Sequence, residues 1–346
     1  MADAVTRELA ALGLEVTEDA AGSVVGSDAG NLLVRIPGRG EASVLLCAHL
    51  DTVPHRAPIE PIVVDGGWES AGDTILGADN KAAVAVLIEV ARRTAIEGAP
   101  VGIELLFTVA EERALAGAKA FDVGQLQSGF GYVFDHATPI GDVIVGSPTY
   151  VRWEAELHGS AAHAGIRPED GRSAVLAAAR AIGQMPLGRL DEQTTANVAS
   201  IHGGVDGTNV VPAHCRLVGE VRSLAQDGVD PVLDSIVESL HDAAADPQCE
   251  CDVDVTLERL FTGYAQDTGA APVVAAAAAL RACGYDPRYV VSGGGSDANA
   301  FIAAGFPCVN LANGTERNHE PHERVSHAAL DGMLDVTFAL LAEVAA

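Results

Sequence analysis

Two different rhythms of strand and helix share this chain of 346 residues, and their order limits the folds open to it. In the first third, short apolar runs at 32–36 and 43–50 are bounded by Gly or Pro, as buried strands are. Residues 79–93 follow as a helix, with Asp79 and Asn80 able to cap it and an Ala/Val/Leu face behind them. Residues 103–109 and 131–135 are strand-like again. Strand, helix, strand at this spacing predicts a mostly parallel α/β sheet. From Tyr150 the rhythm changes. Strands at 150–158, 195–202, 215–222 and 250–257 and helices at 171–185 and 229–245 give the order β-α-β-β-α-β, which is ferredoxin-like. The first rhythm returns after Phe261, with helices at 272–283, 297–304 and from Ser326, and strands at 288–291 and 307–311. The expectation is a mostly parallel α/β domain over 1–148 and 263–346, with an α+β domain inserted over 149–262. At ~150 residues per domain the length suits two domains.

Composition narrows the partners. Forty-eight Asp and Glu against 21 Lys and Arg give a net charge of −27, which opposes a nucleic-acid backbone or an anionic membrane as the main partner. Aromatics are 4%, too few for platforms on which bases stack. Hydrophobic residues at 48% describe a globular chain rather than a disordered one. The six cysteines include no C-x-x-C pair, so they read as reduced, buried thiols of a cytoplasmic protein. The N-terminus lacks the basic start and apolar core of a signal peptide. The apolar stretch 270–280 falls short of the ~20 residues a membrane helix needs. No Gly-x-Ser-x-Gly elbow occurs, and neither lysine, Lys81 or Lys119, sits in a Walker-A context.

Polar residues gather where the first strands should end: His49 and Asp51, Asp79 behind the Gly77 turn, Glu111 and Glu112, and Asp135 beside His136. Open α/β sheets bind ligands outside the carboxyl ends of their strands. His with several carboxylates is a ligand set for zinc above all, with manganese or cobalt as alternatives. Two ions ~3.5–4 Å apart need a bridging carboxylate. The adjacent Glu111 and Glu112 suit a division of labour, one binding metal and the other handling the proton of the attacking water. Asp51 is placed to orient the ring nitrogen of His49 that faces away from a metal.

At this point the chain resembles a known family. His49-Leu50-Asp51-Thr52-Val53-Pro54, Gly77-Ala78-Asp79-Asn80-Lys81, Glu111-Glu112 and the His-x-Pro-x-Glu run from His319 to Glu323 look like the signature blocks of M20 metallopeptidases. The resemblance spans nearly the whole chain. It implies a di-metal catalytic domain carrying two zinc ions per subunit, with cobalt or manganese possible. Asp79 bridges the ions; His49 and Asp135 hold one, and Glu112 and His319 the other. Glu111 serves as general base and Asp51 as a supporting carboxylate. The His-x-Pro-x-Glu register favours His319 over His322, and His136 and His55 are read as pocket or rim residues. The inserted domain is implied to be a lid through which the chain forms a homodimer. In it, His163 within Gly159–Gly165, Asn209 and Arg222 resemble substrate-binding residues, His163 serving the partner subunit's site. Gly294 and Gly295 resemble a glycine loop lining the substrate cleft.

Two departures from the family pattern stand out. Members usually carry a helix and a Ser/Pro-rich segment ahead of the helix read here at 5–14, and this chain starts after them. The third carboxylate is Asp135, as in the aminopeptidase and dipeptidase branches, whereas Glu marks the deacylases and carboxypeptidases. The stretch from Asp135 to Gly141 resembles the Asp-Gly-Gly-x-Pro-x-Gly of peptidase T-like members, with His136 and Ala137 in place of the glycines. The resemblance therefore implies a cytoplasmic enzyme that cleaves the peptide bond of short peptides. The alternatives are an amide hydrolase acting on N-acyl amino acids, an M20 carboxypeptidase, and a degenerate, non-catalytic binding module. The last is disfavoured because every implied ligand and the base are present.

Overall fold

The computed structural model describes residues 1–55 and 57–346. They form two units, one of Met1–Ser147 with Ala265–Ala346 and one of Pro148–Tyr264.

In the first unit the strand Ser43–His49 is central, because each of its residues from Val44 onward is buried. Gly102–Thr108 lies parallel on one side of it and Gly131–His136 parallel on the other. Outward from Gly102–Thr108, Leu32–Ile36 and then Val16–Glu18 pair antiparallel. On the opposite flank Cys308–Ala312 runs parallel to Gly131–His136, and Asp142–Ser147 runs antiparallel to Cys308–Ala312. Arg288–Val291 pairs parallel with Asp142–Ser147. The sheet is mixed, with antiparallel pairings on both flanks of its parallel centre. Hydrophobic periodicity locates strands but carries no direction. The link 137–141 is too short for the crossover of a dozen or more residues that a parallel return needs.

The helices Ala78–Glu97, Ala271–Ala282 and His327–Ala345 bury their small and aliphatic faces in one core with this sheet, around Leu46, Leu87, Phe107, Tyr132 and Leu340. Burying each such leucine contributes about 1.5–3 kcal/mol. Ser326 caps the last helix by accepting a hydrogen bond from the Ala329 N–H at 3.0 Å. A second, antiparallel sheet of Pro61–Val64, Gly67–Ser70, Arg324–Ser326 and Thr315–Glu316 belongs to the same unit.

The second unit is a five-stranded antiparallel sheet in the order Gly188–Arg189, Thr194–Gly203, His214–Ser223, Thr149–His158, Asp252–Phe261. Thr149–His158 alternates strictly between buried and half-buried residues. Its Val151, Trp153, Ala155 and Leu157 point into a core shared with the helices Ala174–Gln184 and Asp230–Ala245. Among the described residues no helix is long and apolar enough to cross a membrane.

Candidate metal centre

Because Ser43–His49, Gly102–Thr108 and Gly131–His136 run parallel, their carboxyl ends lie on one edge of the sheet. His49 ends the first strand, Glu111 and Glu112 follow the second, and Asp135 stands at the end of the third. Asp79 joins them from the start of Ala78–Glu97, where Asp79 and Asn80 have non-helical φ and ψ, and the Asp79–Asn80 peptide is cis. His319 arrives from the loop between Thr315–Glu316 and Arg324–Ser326.

The two carboxylate oxygens of Asp79 face different imidazoles. Oδ1 lies 3.1 Å from His49 Nε2, and Oδ2 lies 3.1 Å from His319 Nε2. Each imidazole has a further carboxylate beside it: Asp135 Oδ1 is 3.7 Å from His49 Nε2, and Glu112 Oε1 is 2.9 Å from His319 Nε2. Two sets of potential ligand atoms, His49–Asp79–Glu112 and His49–Glu111–Asp135, fall within 4.8 Å of one another. Four carboxylates are thus gathered around two imidazoles, and burying that much negative charge requires cations in the same place. Lys81, whose Nζ donates to the Asp51 carbonyl at 2.7 Å, faces these carboxylates with a single positive charge. The donor set therefore fits a pair of divalent ions with Asp79 between them.

Titration behaviour follows from the same crowding. Burial opposes charge on His49, but the Asp135, Asp51 and Asp79 carboxylates outweigh it and hold the imidazole pKa well above its ordinary value. Hydrogen bonds to Asp79 and Glu112 push His319 up to about 10. Burial raises Asp79, yet its hydrogen bonds to the two imidazoles prevail and leave it well below the usual carboxylate range. Burial and the neighbouring Asp79 charge lift Asp135 to about 6. Burial, helped by Asp135, holds Glu111 well above the ordinary range.

Asp51 does more than the sequence suggests. His49 Nδ1 stands 3.5 Å from its Oδ1, long for a hydrogen bond. The Asp51 oxygens instead accept the N–H groups of Glu111 at 3.0 Å and Glu112 at 3.2 Å, fixing the segment that presents both glutamates. His322, His55 and half of the His319 side chain are exposed, and His136 is half-buried. It is His319, not His322, that reaches Asp79 and Glu112.

The remaining candidates are divided between the two units. Gly294 and Gly295 precede the helix Asp297–Ala303 in the first unit, and the Gly294 carbonyl accepts from Ser147 Oγ at 2.8 Å. In the second unit the His163 loop and the Asn209 segment are zipped together, Ala164 N–H donating to the Asn209 carbonyl at 2.9 Å and Val211 N–H to Ala162 at 2.9 Å. Arg222 stacks over the Tyr150 ring at 4.1 Å and pairs with Glu220 at 3.1 Å.

Sequence reasoning missed the groups that hold the ligands. Asn310 clamps Asp135 by accepting its N–H and donating to its carbonyl, both at 3.0 Å. Asp297, 1% exposed, accepts from Thr108 Oγ1 at 2.5 Å, and burial raises its pKa to about 7. Asp297 directly follows the Gly-Gly-Gly-Ser run 293–296, but nothing in the sequence names its partner.

A mixed α/β sheet with a His and carboxylate cluster at the strand ends is the setting of a candidate metal centre. The chain belongs to peptidase family M20/M25/M40, whose model matches residues 45–343, and it is a hydrolase acting on peptide bonds. It is 35% identical to Uncharacterized protein YqjE of Bacillus subtilis over 98% of this chain and 91% of that one. The structure of aminopeptidase PepT from Bacillus cereus is similar at a TM-score of 0.90 and 36% identity, over 100% of this chain and 92% of that chain. A tripeptidase from Staphylococcus aureus is similar at 0.93 and 33%, over 99% and 92%.

Proposed function

We propose that this chain is a two-metal aminopeptidase of the peptidase T kind, acting on short peptides such as tripeptides. The observation that carries the reading is Asp79, whose two oxygens face two imidazoles that each have a further carboxylate at hand. In this reading His49, Asp79 and Asp135 hold one zinc ion, and Asp79, Glu112 and His319 the other. Zinc in those places supplies Lewis acidity, polarising the scissile carbonyl and bringing the pKa of a bound water toward ~7. Glu111, buried beside the ligands, takes the proton of the attacking water and returns it to the leaving amine. Burial and the neighbouring Asp135 charge raise its pKa, which strengthens it as a proton acceptor. Asp51 keeps Glu111 and Glu112 in register through their N–H groups. Substrate contacts are assigned to His163, Asn209 and Arg222 of the second unit and to Gly294 and Gly295 of the first. Dimerisation is assigned to the second unit; these assignments follow the family resemblance.

Asp135 and the likeness to an aminopeptidase PepT and a tripeptidase favour peptides over N-acyl amino acids. The test is turnover by zinc-loaded protein of free tripeptides, their N-acetylated forms, dipeptides and N-acyl amino acids. Free tripeptides are expected to be cleaved and the N-acetylated forms spared. Cleavage of N-acyl amino acids with no turnover of any peptide overturns the reading.

A further inference from the structure

Three backbone N–H groups around Asp79 converge on one carboxylate from the far end of the chain. Glu323 Oε2 accepts from Leu76 at 2.9 Å and from Gly77 at 2.8 Å, and its Oε1 accepts from Asp79 at 2.8 Å. Glu323 is 1% exposed. Hydrogen bonds to an ionised acceptor are about twice as strong as neutral ones, so this carboxylate is a firm anchor for the loop ahead of Ala78–Glu97. Glu323 also closes the loop that presents His319. Within that loop Arg317, His319 and His322 have φ of 58°, 68° and 76°. Non-glycine residues stay in that region only where their surroundings hold them there.

We infer that Glu323 is a positioning residue for the ion held by Asp79, Glu112 and His319. The inference rests on the two-metal reading. One carboxylate ties the backbone of Asp79 to the loop of His319, although those residues are 240 apart in sequence. The other half of the centre has separate supports. His49 is set by its place at the end of a buried strand, and Asp135 by the two-way clamp of Asn310. Asp79 is common to both ions, but only the ion of Glu112 and His319 depends on Glu323 through two ligands, so loosening Glu323 should weaken that ion more than the other. Glu323→Gln keeps the size but turns one oxygen into an amide that itself donates, so it cannot satisfy all three N–H groups.

The test is zinc titration by calorimetry of the metal-stripped full chain, together with thermal melts without metal. Wild type, Glu323→Gln, Glu323→Asp and His319→Ala are compared. Wild type is expected to take two ions. Glu323→Gln should weaken the ion that His319→Ala loses by ~10–100-fold, the range for groups that orient metal ligands, and weaken the other, which shares only Asp79, by clearly less. Glu323→Asp keeps the charge on a shorter arm and should fall between Gln and wild type. A lower melting temperature with both affinities unchanged, or both weakened equally, makes Glu323 a merely structural residue and overturns the inference. If Glu323→Gln fails to fold, Glu323→Asp decides by the same criterion. A wild type that takes only one ion overturns the two-metal reading itself, and this inference with it.

Discussion

Glu111 and Glu112 are neighbours that the Asp51 carboxylate holds by consecutive N–H groups, yet their side chains stand in different surroundings. Glu112 Oε1 is 2.9 Å from His319 Nε2, on the ligand side. Glu111 stands with His49 and Asp135 and carries a raised pKa. General acid–base catalysis is worth ~10²–10⁴ in rate. Glu111→Gln is therefore expected to lower kcat by at least ~10² with both ions retained, and Glu112→Gln to release one ion. Steady-state kinetics beside metal analysis of the purified variants checks both. Loss of metal from Glu111→Gln and its retention by Glu112→Gln exchange the two roles. Near-normal kcat in Glu111→Gln with both ions bound contradicts the base assignment. At this scale the candidate ligands that the structure brings together were legible, because each sits in a short, recognisable block. Their supports were not. Asn310 with Asp135 and Asp297 with Thr108 join residues 175 and 189 apart in sequence, and no local pattern announces such a pairing.

At the scale of elements, the long apolar strands and the Ala-rich helices were readable because their burial imposes a period. Leu32–Ile36 lies where the hydrophobic run puts it. The small sheet that bears the His319 loop was not readable. Its strands are two to four residues long, and Pro61–Val64 is largely exposed, so no alternation marks them. Strand direction was equally hidden, so the antiparallel pairings at the flanks of the first sheet were not foreseen. The loop carrying Glu111 and Glu112 shows how elements fix a site without touching it. Buried Asn31 accepts the Val109 N–H at 3.0 Å and donates to the Gly117 carbonyl at 2.9 Å, pinning the segment at both ends. Gly117 has no freedom there, since a Cβ would lie 1.9 Å from the Val109 carbonyl oxygen.

For the whole molecule, the centre dictates how stability depends on pH once metal is stripped. His319 at about 10, Asp135 at about 6, Asp297 at about 7, and the raised His49 and Glu111 all bind protons more tightly folded than unfolded. Their stabilisation is full below the unfolded values, ~4 for the carboxyls and ~6.5 for the imidazoles, and is lost as pH rises through the folded ones. Asp79 and Asp51 are lowered and act oppositely, stabilising above ~4 and losing that contribution as pH falls. The metal-stripped protein is expected to melt at steadily lower temperature from pH 6 to 10, and zinc to raise Tm most at the alkaline end. A stripped protein whose Tm climbs over that range contradicts the electrostatic account.

The central claim is that peptide hydrolysis depends on two ions gathered about Asp79. Its most direct test is the rate of tripeptide cleavage as stripped protein is reloaded with zinc under tight-binding conditions. The account expects negligible rate without metal, and a rate that reaches its plateau at two equivalents per chain. Full activity in the stripped protein, or a plateau at one equivalent, contradicts it.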